Sequence, residues 1–192
     1  MLNIFKKKSL HEPLNLQIAD VKKYDPIIID SILKGIDCDY LPKGEGPFGS
    51  INNPIPVNGL LGEIKYLGKL RGKTGHAVFF HRIGSFKSTI SEHLIDKYEL
   101  VCNDSTQWSF LFFDMYHPRR SEKSPNGFSL TPYNEKLKMD IPFAYGVDYF
   151  MTDFPYSLPN ELDRFNGTLG AFGRNAKKWL ELYKFEKPDL IK

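Results

Sequence analysis

The sequence predicts an α+β fold, an antiparallel β-meander of about four or more strands with flanking helices on one face. Two observations carry that expectation. Between Glu63 and Asp114, apolar and polar residues alternate in short runs separated by turn chemistry, the signature of half-buried strands. Near the end of the chain, "FGRNAKKWLELYKF" sets Phe172, Ala176, Trp179, Leu180 and Tyr183 at helical spacing with charged residues elsewhere, which makes an amphipathic helix. The 192 residues correspond to one domain, long enough to bury roughly 70 % of the unfolded surface without a staple.

Taken in order, residues 1–16 are expected to be a flexible lead-in and 17–188 a single α+β domain. "DPIIIDSILKG" predicts a short helix, with Asp25 as N-cap, Pro26 at the first helical position and Gly35 at the stop. "LPKGEGPFGSINNPIPVNG" comes next, without any period. Pro54 and Pro56 exclude a central strand there, so an ordered connection is expected. "EIKYLGKLR" alternates Ile64, Tyr66 and Leu70 against Glu63, Lys65 and Lys69 and predicts a strand. "RGKTG" turns it into a second strand, "HAVFFHRIGS". "DKYELVC" sets Tyr98, Leu100 and Cys102 inward and Lys97 and Glu99 outward. "WSFLFFDMYH", apolar on both faces, reads as a central strand. A short strand is expected at Phe128–Leu130, and the amphipathic helix lies near 172–185.

Composition narrows the function classes. The net charge of +3 is too small to imply a nucleic-acid partner. No apolar run approaches the roughly 20 residues of a membrane span. "MLNIFKKKSL" has the wrong order for a secretory signal, which with only Cys38 and Cys102 predicts a cytoplasmic protein with reduced thiols. No Cys pair at ligand spacing supports zinc, and His76 and His81 fall on opposite strand faces, so neither a metal nor a cofactor is expected. "GKLRGKTG" fails as a phosphate loop, because only three residues separate Gly68 from Gly72 and a strand, not a helix, comes after it.

The chemistry concentrates in "DMYHPRRS". On a continuing strand, Asp114 shares a face with Phe110, Phe112 and Tyr116, while His117 takes the other. A buried carboxylate needs a partner, and Arg82 on the neighbouring strand is expected to supply it. Three readings are open. The segment is a structural Arg–Asp corner; or His117, Arg119 and Arg120, the arginines thrown into a loop by Pro118, grip an anion, with Arg82 and Tyr116 as further binding residues; or His117 is catalytic as acid or base together with Asp114 or Tyr116.

Residues 63–87 carry a local charge of +5, and residues 139–163 carry −5 with six aromatics. These segments either pack together and cancel, or the second binds a partner surface. The leading expectation is a non-enzymatic cytoplasmic interaction or accessory protein, of the toxin-neutralising kind, using charged and aromatic loops. One alternative is an enzyme acting on a small anionic substrate, with His117 as acid or base and Arg119 and Arg120 as the grip. A weaker one is nucleic-acid binding through hairpin 63–87, with Tyr66, Phe79 and Phe80 as stacking surfaces.

Overall fold

The computed structural model describes residues 8–136, 144–166 and 170–187. The fold is α+β, but its sheet is mixed rather than a pure antiparallel meander. Strands β3 (Val78–Lys87), β4 (Leu94–Cys102) and β5 (Trp108–Asp114) form the antiparallel centre. Two short strands extend it in parallel: β1 (Ile55–Pro56) beside β5, and β7 (Tyr145–Val147) beside β3, in the order β1-β5-β4-β3-β7. Strand β5 is therefore paired on both sides, but β4 is the middle strand. Pro56 sits in the two-residue β1 at the sheet margin, where its missing N–H costs no ladder bond. A separate pair joins β2 (Leu70–Arg71) to β6 (Ser129–Leu130).

The expected strand at 63–71 is a helix, α3 (Gly59–Lys69), with only Leu70 and Arg71 extended. Five of its seven buried residues, Gly59, Gly62, Glu63, Tyr66 and Leu67, make one helical stripe. Tyr66 and Leu70 lie four apart, a spacing that keeps them on one side under either period, and so the alternation misled. The "RGKTG" turn survives, with the Gly72 amide donating to the His76 carbonyl at 3.0 Å.

Helices cover both faces of the sheet, not one. Helix α3 lies over Phe80, Tyr98, Leu100 and Phe113, giving one core cluster. Helices α4 (Leu158–Asn166) and α5 (Ala171–Leu182) close the other over Phe79, Val101 and Trp108. Glu99, expected to face outward, is buried on this second side.

The N-terminal region adds a helix absent from the sequence reading, α1 (Leu14–Tyr24), packed on α3. Before it, His11 and Glu12 are buried, so residues 8–16 of the expected lead-in are docked at those positions. Helix α2 is shorter than expected, Ile29–Lys34. Asp25 does not cap it. It stands at the end of α1, and its carboxylate accepts the Leu60 N–H at the start of α3, where Gly59 has φ +76° and a side chain would strike that carboxylate. Among the described residues, no helix is long and apolar enough to cross a membrane.

Candidate functional site

The exit of β5 builds the site. After Asp114 the ladder stops and the chain bends around the segment next to β1. The Val57 amide donates to the Asp114 carbonyl at 2.9 Å, and the His117 amide to the Val57 carbonyl at 3.2 Å. The Tyr116 amide donates back to Asp114 Oδ1 at 3.1 Å, a local side-chain turn that competes with strand continuation. Residues 114 and 117, on opposite faces of an ideal strand, are thereby brought together. His117 Nε2 lies 3.7 Å from Asp114 Oδ1, a charge-pair distance longer than a hydrogen bond.

These residues line a cavity of about 480 Å³. Its walls come from the C-terminal end of α2 and the two residues after it (Lys34, Gly35, Ile36), from Leu41–Lys43, and from the β3–β4 connection (Ile90–His93). Tyr116 stacks on His93 at 3.8 Å between ring centroids. Gly35 permits the closure: a side chain there would collide with the Tyr116 carbonyl. A smaller cavity of about 300 Å³, lined by Lys73, Gln107 and neighbouring turn residues, holds no acid, histidine or cysteine.

The electrostatics of the floor are set by its partners. His117 Nδ1 is 2.7 Å from the Ile36 carbonyl; a carbonyl only accepts, so Nδ1 carries a proton. Burial opposes a charge on this ring, but Asp114, the Cys38 sulfur and the Ile36 carbonyl outweigh it and raise His117 from 6.5 to about 10. The Cys38 sulfur stands 3.9 Å from Nδ1. Burial likewise opposes the Asp114 charge, yet His117, the Ser91 hydroxyl and the Tyr116 amide hold its carboxyl below the usual range. The floor is an imidazolium–carboxylate pair. Nε2, in a side chain 5 % exposed, has no hydrogen-bond partner among the described residues.

The structure gathers Asp114, Tyr116 and His117 and separates the three arginines from them. Arg82 does not pair with Asp114. It binds Asp96 at 2.6 Å, because Arg82 and Asp96 face the α3 side of the sheet while Asp114 faces the other. Arg119 is not a free grip either; it meets Asp37 at 2.5 Å and Asp39 at 2.8 Å. Arg120, expected in an exposed loop, is 1 % exposed and bound to Glu12 at 2.5 Å.

Other candidates are packed inside. Tyr66, Phe79 and Phe80 are fully buried, which leaves the basic segment without those stacking surfaces. His81 is 2.9 Å from Glu99, and its Nδ1 accepts the Met151 amide. The basic and acidic segments meet through the parallel pairing of β3 with β7, while Phe150 is 59 % exposed and Tyr156 49 %. Asp140 and Phe143 lie outside the described residues.

Sequence reasoning missed Ile36, Cys38, Ser91 and His93. The only hint was the stop signal at Gly35, since nothing local links residues 36 or 91 to 117. Cys38 and Cys102 are both free, and among the described residues no group of three or more His, Cys, Asp or Glu could hold a metal ion. No family model, curated protein or solved structure matches this chain, so its chemistry rests on the site alone.

Proposed function

We propose that this chain is a non-enzymatic interaction protein that receives a partner group in the pocket at the exit of β5. One observation carries the reading. His117, the buried one of the two histidines lining that pocket, is committed to the Ile36 carbonyl and to the Asp114 charge, while the other, His93, is exposed at the wall and stacked on Tyr116. A histidine raised to about 10 is protonated at neutral pH and is not a general base there. The arginines invoked for an anionic substrate are neutralised by Asp37, Asp39 and Glu12. What remains is a concave surface with an apolar wall at Ile36, Leu41 and Ile90 and a fixed dipole at its floor, an arrangement suited to binding. A cytoplasmic setting belongs to the same proposal.

The ring resonances of His117, monitored by NMR against pH, test it. The imidazolium is expected to persist through pH 8. A midpoint between about 6 and 7, the unperturbed range, restores the acid–base enzyme. A photo-crosslinking side chain at Ile36, 54 % exposed at the pocket mouth, is expected to trap a protein. Failure to trap one overturns the interaction reading.

A further inference from the structure

Resting on that interaction reading, we propose that the strip of sheet running from the Asp114 pocket along Phe112 to Phe110 docks an acidic polypeptide segment carrying apolar side chains.

The strip arises from strand parity. Phe110, Phe112 and Asp114 occupy alternate positions of β5 and share the face opposite α3. Lys97 pairs with Phe112 in the adjacent strand, and Phe86 joins them from β3, its ring 6.4 Å from that of Phe112. The α4–α5 cluster covers this face only as far as Phe79, Val101 and Trp108. Beyond it, Phe86 is 38 % exposed, with Phe110 and Phe112 half-buried. The strip meets the pocket through Asp114, and a second cavity of about 420 Å³ at the sheet margin, lined by Lys87, Ser88 and Leu94, shares Ser91, Glu92 and His93 with that pocket.

Charge selects the occupant. Lys97 Nζ lies 4.2 Å from the Phe110 ring centroid and 5.6 and 5.8 Å from those of Phe112 and Phe86, a cation seated on an aromatic floor. Lys87, next to Phe86 near the strand end, lines the second cavity, and Lys34 and Lys43 stand on the pocket rim. Against these four lysines the two linings offer one exposed carboxylate, Glu92, since the charge of Asp114 is answered by His117. A positive rim around partly exposed aromatics complements acidic residues interspersed with apolar ones. A second copy of the chain fits poorly, because a two-fold contact sets lysine against lysine. Single-stranded nucleic acid is also disfavoured: it stacks on open ring faces, and Lys97 already sits over these rings.

The test is an NMR titration of the isotopically labelled chain. Three probes are compared: a short synthetic peptide of aspartate and leucine in equal number, its lysine–leucine counterpart, and an oligothymidylate. The acidic peptide is expected to shift the backbone amides of Phe86, Leu94, Lys97, Phe110 and Phe112, and high salt to weaken it. Lys87→Glu and Lys97→Glu, checked for an unchanged fold by the dispersion of the spectrum, are each expected to weaken it about tenfold. Equal binding of the basic peptide, tighter binding of the oligothymidylate, or no shift along the strip overturns the inference. Shifts confined to residues 31–43 and 116–117 refute the strip while sparing the pocket, whose reading stands or falls on the Ile36 crosslink.

Discussion

Arg120 Nη2 lies 2.5 Å from Glu12 Oε2, with the two side chains 1 % and 4 % exposed, so the last arginine of "HPRR" is a buried tie to the N-terminal segment. Lys65 binds the same carboxylate at 2.7 Å and also meets Asp20. The Arg120 amide donates to Gln17 Oε1 at 3.1 Å. The pair fastens residues 11–20 to the chain that leaves the pocket.

Burial opposes the Glu12 charge, but Arg120 and Lys65 hold its carboxyl down at about 2 from the ordinary 4.5. A depressed acid stabilises the fold above its unfolded pKa and loses that contribution as pH falls through the folded one. Glu12→Gln is therefore expected to cost about 3 kcal/mol at pH 7, because it leaves Arg120 buried without its counter-charge. The difference from the parent should shrink between about pH 4.5 and pH 2. Arg119→Ala, whose partner Asp37 is 60 % exposed, is expected to cost less than about 1 kcal/mol. Denaturant melts across pH check both, and equal losses would remove the distinction between the two arginines.

Glu63 is fully buried beneath the sheet and accepts the Tyr98 hydroxyl at 2.8 Å. Burial, with the nearby Asp96 charge, pushes its carboxyl well above 4.5, which favours its neutral form in the folded state. For an acid raised in this way, stability declines as pH climbs above the unfolded value, since only the unfolded chain gains from ionising. Glu63→Gln keeps an acceptor for Tyr98 and removes that decline. The variant is expected to gain stability relative to the parent as pH rises from about 4 to 8, the two being closest below about pH 4, the unfolded range. Thermal melts at the two pH values measure it; no relative gain at pH 8 would mean that Glu63 is ionised in the fold.

Gly35 touches the backbone of Tyr116 and His117, with no space for a methyl group. Gly35→Ala must push α2 away from the β5 exit, at an expected cost of about 1–3 kcal/mol. The bond from His117 to the Ile36 carbonyl should lengthen with it, so the His117 midpoint should fall from about 10 towards 6.5. Melting and the same NMR titration give both readouts. A stable variant with an unmoved His117 midpoint would show that the contact is not what closes the pocket.

The sequence by itself determined the elements whose signals are local. Alternation marked β4, apolar runs bounded by turn residues marked β3 and β5, turn residues marked the "RGKTG" reversal, prolines kept 41–58 mostly out of the sheet, and a 3.6-residue period marked α5. It also singled out "DMYHPRRS", three residues of which line the pocket. Only the tertiary structure decided what those residues meet. The spacing of Tyr66 and Leu70 fits a strand and a helix equally, and burial against Phe113 and Leu100 chose the helix. The partner of Asp114 depended on strand parity and on a bend after it, which moved Arg82 to Asp96 and brought His117 to Asp114. Glu12 lies in a polar segment with no period, and its burial depends on Arg120, more than a hundred positions away. Local sequence fixes backbone preference through sterics and hydrogen bonding within a few residues. Charge pairing and pocket walls are settled by contacts between distant segments, and these exist only once the chain has packed.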